Sequence, residues 1–147
     1  MDLRPLRRDE MAAAAAVHRA SFDERLPWLA GRYSPAQDAC YFAEHVFPRC
    51  SVWGAFSEQS LVAILAFRLG WIDQLYVLPQ AQGAGIGASL LEIAKARQTR
   101  LRLWTFERNV RARVFYEKRG FVALRRSNGS RNTEREPDIL YQWRPVE

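Results

Sequence analysis

Thiols and imidazoles are scarce in this chain. Cys40 and Cys50 are its only cysteines, no CxxC spacing occurs, and His18 and His45 are its only histidines. This excludes a disulfide scaffold and offers no zinc-ligand pattern, so both cysteines are expected to be reduced, partly buried, small apolar residues. Long apolar stretches are missing as well. No apolar run is longer than that of residues 11–17, far short of the roughly 20 residues that span a bilayer. The first eight residues alternate apolar and charged side chains, with no apolar core of signal-peptide length. A cytoplasmic protein without a membrane segment is the expectation. Repeats and Gly/Ser/Pro-rich linkers are absent too, so no domain boundary is apparent.

What is present is ordinary for a globular protein: 147 residues, 48% apolar and 26% charged. A chain of this size buries roughly 70% of its unfolded surface and forms one domain with a real core. The net charge is +6, carried almost wholly by arginine, since Lys95 and Lys118 are the only lysines. Excess positive charge suits an anionic ligand, from nucleic acid down to a phosphate-bearing cofactor, and it equally suits a solvated arginine-rich surface. The arginines are scattered through every predicted element, with no basic tail or Arg-Gly tract. Nucleic acid is therefore not expected as a partner.

Hydrophobic periodicity gives the order β-α-α-β-β-β-α-β-α-β-β. Residues 2–6 alternate as a strand. Asp9 is the expected N-cap of an alanine-rich helix ending near Ala20 or Phe22. Ser34 with Pro35 opens a second helix running to about Phe47, with Ala39, Phe42, Ala43, Val46 and Phe47 facing inward. Residues 52–57 and 61–69 form a hairpin, followed by a third strand over 71–78. A helix over 85–98, a strand over 101–107 and a helix over 110–119 come next, the last closed by Gly120. Strands over 121–125 and 139–143 end the chain, separated by a polar loop. This order predicts a mixed sheet with helices on both faces.

The stretch with chemistry in it runs from Leu75 to Ala88. A strand ends at Pro79, and Gly83, Gly85 and Gly87 open a helix. Alternate glycines let backbone N–H groups approach a ligand, and a helix N-terminus adds partial positive charge; together they form a phosphate cradle. A Walker A loop would need Gly-Lys-Ser/Thr, which is absent. A dinucleotide fingerprint fits formally at Gly83, Gly85 and Ala88, with Glu107 at the next strand end. Its first glycine, however, should leave the strand directly, whereas residues 79–82 intervene here.

The remaining match is Gln/Arg-x-x-Gly-x-Gly/Ala, met by Gln82, Gly85 and Gly87. It resembles the acetyl-coenzyme A signature of the GNAT superfamily of N-acetyltransferases. Downstream, Asn109, Ala112, Phe115, Tyr116, Glu117, Lys118, Gly120 and Phe121 fall as in that family's Asn-x-x-Ala-x-x-Phe-Tyr-Glu-Lys-x-Gly-Phe stretch. The resemblance implies an α/β fold of the α+β type: a single domain with a mixed, mostly antiparallel sheet of about seven strands. Strands four and five would be splayed. It also implies acetyl-coenzyme A as co-substrate, no metal, and direct transfer in a ternary complex to a primary amine of a small molecule or protein. A non-catalytic acyl-coenzyme A-binding module of the same fold is the alternative, and the intact Tyr116 speaks against it.

By the same resemblance, Leu75, Tyr76 and Val77 on strand four bind the pantetheine arm. Gln82, Gly83, Ala84, Gly85, Ile86, Gly87 and Ala88 receive the diphosphate. Asn109 caps its helix and hydrogen-bonds the cofactor. Tyr116 is the general acid that protonates the departing thiolate; a phenol with a pKa of about 10 carries its proton at neutral pH. Counting by twos places Asp73 on one face with Trp71, Leu75 and Val77, and because the family often carries an acidic residue in this region, the resemblance implies Asp73 as the candidate general base, acting directly or through water. Trp28 and Tyr33, together with Trp104 and Phe106, are candidates for lining the acceptor cleft. Glu134 and Glu136 lie in the last loop, where a carboxylate could meet a cationic amine. The final strand, residues 139–143, is expected to be exposed and able to pair in a homodimer.

Overall fold

The computed structural model describes residues 1–146. After strand β1 (Asp2–Pro5), a single 3-10 turn over Arg8–Glu10 leads into helix α1 (Met11–Arg25). Glu10, not Asp9, sits at the start of α1. Its carboxylate accepts from the Arg7 N–H at 2.9 Å and from both Arg4 guanidinium nitrogens. These bonds hold it at about pKa 2, the Arg4 hydrogen bond being the largest cause. The helix runs past Phe22 because nothing stops it before Leu26, whose position ahead of Pro27 disfavours the helical region. Ser34 and Gln37 form a reciprocal capping box, with Pro35 at the first position of helix α2 (Pro35–Tyr41). The chain then widens into one π turn over Phe42–Val46, where Phe47 N–H donates to the Phe42 carbonyl at 2.8 Å. Phe42 and Val46 are buried there, while Ala39, Ala43 and Phe47 are half-buried.

Strands β2 (Ser51–Ser57), β3 (Ser60–Arg68) and β4 (Trp71–Val77) form an antiparallel meander. Helix α3 (Ile86–Arg97), strand β5 (Leu101–Phe106), helix α4 (Val110–Glu117) and strands β6 (Val122–Ser127) and β7 (Asp138–Trp143) complete the chain. The sheet order is β1-β2-β3-β4-β5-β7-β6, and only β4 and β5 are parallel neighbours. Helices cover both faces. On one side α1 and the π turn pack Met11, Ala14, Ala15, Phe42 and Val46 against Val52, Ile64 and Ala66. On the other, Ile86, Leu90, Leu91 and Ala94 of α3 and Tyr116 of α4 pack against Leu65, Phe67, Leu103 and Tyr141.

Two features of the sheet set up the site. β4 and β5 pair only at Trp71 and Arg102, where Arg102 N–H donates to the Gly70 carbonyl at 2.9 Å, and then they part. Across the rest of β4, the edge facing β5 is unpaired and therefore free to bond an extended ligand. The second feature is a bulge. Ala66 faces Gln74 and Phe67 faces Ile72, so Asp73 is an extra residue with no partner across the ladder. The bulge resets the alternation: Ile72, not Asp73, joins Leu75 and Val77 on the α3 side.

Two further expectations are corrected. β7 is an interior strand bonded to both β5 and β6, with Ile139, Leu140 and Tyr141 buried. The edge strands are β1 and β6, so residues 139–143 have no free edge with which to pair between subunits. Cys40 is exposed and only Cys50 is partly buried; both are free thiols. Burial, followed by the nearby Asp73 carboxylate, pushes the Cys50 thiol up to about pKa 12. No helix among the described residues is long and apolar enough to cross a membrane, and no cluster of metal-ligating side chains occurs among them.

Candidate active site

The parting of β4 from β5 opens two adjoining cavities. One, of about 470 Å³, is lined by Leu75, Tyr76 and Val77 of β4, by Gln82, Gly83 and Gly85 of the following loop, and by Ile86, Gly87 and Ala88 at the start of α3. Ala112, Phe115 and Tyr116 of α4 close its far wall. Of the glycine-loop positions singled out by sequence, Ala84 alone lies outside this lining.

The loop has a simple physical cause. Gly83 and Gly85 adopt φ of +87° and +81°, a region that residues with a Cβ rarely enter. A Cβ at either would meet nothing within 4 Å, so the backbone there faces open space. Gly85 is the N-cap of α3 and offers no side-chain cap, while its carbonyl already accepts from Ser89 N–H at 3.1 Å. The first-turn N–H groups of α3 are left for an outside acceptor, and the helix dipole adds to their pull on an anion. A diphosphate fits this donor set.

Gln82 plays a different part from its neighbours. Its Nε2 donates to the Val77 carbonyl at 2.9 Å, tying the loop to the end of β4. Ser21 Oγ of α1 lies 2.8 Å from that same carbonyl. The Val77 carbonyl is thus occupied within the protein, leaving the N–H side of this strand end for a ligand. Gly87 is packed rather than strained: a Cβ there would lie 3.4 Å from the Phe115 ring and 3.5 Å from Val77.

The second cavity, of about 670 Å³, opens between the end of β5 and the β6–β7 loop. Trp104 and Phe106 line it, as does Glu134, with Phe22, Arg125 and Arg131 among the other walls. Asp138 also reaches it, but it is occupied by Ser127 and by Asn132 Nδ2. Trp28 and Tyr33 line neither cavity. Trp28 lies instead under the Arg108 guanidinium, 3.8 Å from its ring centre, and Tyr33 faces Arg19. Glu136 pairs with Arg108 at 3.6 Å.

Arg25, Tyr76 and Asn109 line both cavities and form the seam between them. Asn109 Oδ1 accepts from Ala112 N–H at 3.3 Å, so the residue caps α4 from within the seam. Tyr76 is held edge-on to His18 at 4.6 Å. Burial, then the Glu134 charge, pushes its phenol up to about pKa 12. Tyr116 is buried with its ring against Phe115 and Phe121. Its phenol is raised well above the ordinary tyrosine value by burial and then by Tyr76, while Arg25 pulls it the other way. Asp73 is not part of this assembly. It accepts from Arg68 Nε at 2.8 Å and from Cys50 Sγ at 3.4 Å, and it lines neither cavity.

Sequence reasoning did not single out Arg25, Ser21, Arg111 or Arg119, all of which border the first cavity. Arg111 and Arg119 fall at unassigned positions inside the second sequence motif, and that placement was the available signal. Arg25 and Ser21 come from α1, and nothing in their local sequence announces the site.

A parted parallel strand pair and a glycine-opened helix facing α4 define the GNAT class of acetyltransferases. A model of the acetyltransferase (GNAT) domain matches residues 38–123, more than half of the chain, and the chain belongs to that family. It is similar to the peptidyl-lysine N-acetyltransferase YjaB of Salmonella typhimurium strain LT2, with 27% identity over 128 residues, 86% of this chain and 87% of that protein. Among solved structures, it resembles the solution structure of apo-form YjaB from Escherichia coli, with a TM-score of 0.79, 24% identity, and 97% of this chain and 96% of that one covered. It likewise resembles the PaiA N-acetyltransferase from Thermoplasma acidophilum in complex with coenzyme A, with a TM-score of 0.76, 16% identity and 98% of both chains covered.

Proposed function

We propose that this single-domain, cytoplasmic protein is an acetyl-coenzyme A-dependent N-acetyltransferase that transfers acetyl directly to a primary amine in a ternary complex. The observation that carries the reading is the seam: two cavities share Arg25, Tyr76 and Asn109, so a donor in one and an acceptor in the other would meet without a covalent enzyme intermediate. The cofactor supplies an activated acetyl thioester. The chain's own groups do the rest. Amides of the Gly83–Ala88 region hold the diphosphate, and β4 holds the arm beside Tyr116. The buried Tyr116 phenol keeps its proton through the neutral range and gives it to the leaving sulfur.

Glu134 lines the acceptor cavity, and its carboxylate supports an approaching cationic amine on that side. The similarity to a protein named as a peptidyl-lysine N-acetyltransferase supports a lysine side chain as one acceptor to try first. With Asp73 engaged by Arg68, proton loss from the amine is assigned to water in the open second cavity.

The test is a thiol-release assay with acetyl-coenzyme A against a panel of amines that includes lysine peptides, polyamines and amino acids. Acceptor-dependent thiol release at a rate above the no-acceptor blank is expected with at least one primary amine. Binding of coenzyme A with no release across the panel would instead favour a non-catalytic binding module.

A further inference from the structure

Arg25 is placed at the seam without a full set of partners. Its side chain is 22% exposed, yet it borders both cavities. Its Nε is sealed from solvent and has no hydrogen-bond partner among the described residues. Glu24 Oε2 lies 3.3 Å from that same Nε, an ion pair without a hydrogen bond, and the Glu24 side chain is 42% exposed with its other oxygen 3.9 Å from Arg111. The cation is therefore partly desolvated and paired with a single half-exposed carboxylate. Consistently, its pKa is lowered, by burial first and then by Arg111. Arg25 also acts on Tyr116, stabilising the charged form of that phenol. Arg19, by contrast, is matched by Asp38 through two hydrogen bonds of 2.8 and 3.0 Å, where Arg25 has one ion pair and no hydrogen bond from its Nε.

We infer that Arg25 is a catalytic residue whose guanidinium stabilises the negative charge that develops on the acyl oxygen and then on the departing sulfur. The inference rests on reading the two cavities as donor and acceptor sites. In the step itself, the neutral amine nitrogen bonds to the acyl carbon while the carbonyl π pair moves onto oxygen, opposite Arg25. Water removes one proton from nitrogen. The pair on oxygen then re-forms the carbonyl as the carbon–sulfur bond breaks, and the sulfur leaves with the bonding electrons. Tyr116 protonates it and is itself reprotonated from water, so the net products are amide and thiol. A preorganised donor in a partly dry site needs no reorganisation as charge appears, which is where such groups are most effective. A fixed cation at the seam also disfavours the ammonium form of the acceptor, helping a site in which Asp73 is not available as a base.

The test reads binding, so it does not depend on knowing the acceptor. Affinities of S-carboxymethyl-coenzyme A, which carries a carboxylate beside the sulfur, and of uncharged S-ethyl-coenzyme A are measured for wild type, Arg25→Gln and Arg25→Lys. Wild type is expected to prefer the carboxymethyl form by about tenfold or more, the scale of a charge-assisted hydrogen bond. Arg25→Gln should lose that preference while binding the S-ethyl form within about twofold of wild type, and Arg25→Lys should keep part of it. An unchanged preference in Arg25→Gln, or equal loss of both ligands, would overturn the assignment. If wild type binds neither derivative, the cofactor reading itself fails. If it binds both without preference, only the role of Arg25 fails. Once an acceptor is known, Arg25→Gln should lower kcat by about 100-fold, the cost of removing one oxyanion donor, with little change in the KM for acetyl-coenzyme A.

Discussion

Tyr116→Phe is expected to lower kcat by about 100-fold or more, the range in which a positioned acid contributes, while leaving coenzyme A affinity within about twofold. The substitution removes one oxygen and keeps the ring that packs between Phe115 and Phe121, so α4 and its neighbours should stay in place. The phenol is buried and its pKa is raised above the ordinary value of about 10. A raised pKa in a group that acts in its protonated form extends activity upward: no loss of acid function is expected anywhere between neutrality and the ordinary tyrosine pKa. The pH profile of wild-type kcat should accordingly rise with amine deprotonation and then level off, with no alkaline fall below that value. Unchanged turnover in Tyr116→Phe, at matched thermal stability, would remove the tyrosine from the chemistry.

The second large effect is expected at Gly85. Its φ of +81° makes valine there a backbone outlier costing about 1–3 kcal/mol. The N-terminus of α3 should re-form with different dihedrals, withdrawing the amides of Ile86, Gly87 and Ala88 from their common direction. Loss of two hydrogen bonds to a charged phosphate, at about 1.5–3 kcal/mol each, corresponds to at least about a 100-fold fall in coenzyme A affinity. Open space around the missing Cβ means that the Cβ itself meets no packing clash. The variant should therefore fold, with a lowered melting temperature, and bind the cofactor poorly by calorimetry. A folded Gly85→Val with wild-type affinity would contradict the cradle.

Features confined to a few consecutive residues were legible in the sequence. The glycine run, the Ser34–Pro35 helix start and the Asn109–Phe121 stretch carry their own conformational instructions, and each lies where local rules place it. Period-two counting failed at Asp73, because a bulge inserts one residue without any marker in composition and moves everything before it to the opposite face. Strand order was hidden for a different reason. β7 inserts between β5 and β6 through its pairing with β5, made far apart in the chain, and a short apolar run such as 139–141 does not say which strand lies on its other side. Arg25 is the strongest case. Its importance comes only from the packing of the end of α1 beside the parted strands, a tertiary fact that no window of sequence contains. Trp28 and Tyr33 show the converse: aromatic residues in a suitable loop, turned instead toward Arg108 and Arg19.

The claim on which the rest depends is that main-chain amides at the start of α3 receive the cofactor's diphosphate. Titrating coenzyme A into isotopically labelled protein and following backbone amide resonances tests it directly. The largest shifts are predicted at Gly83, Gly85, Ile86, Gly87 and Ala88, with smaller ones at Leu75 and Val77 and at α4. Saturable binding that leaves those loop amides unmoved, with shifts gathered elsewhere on the molecule, would contradict it.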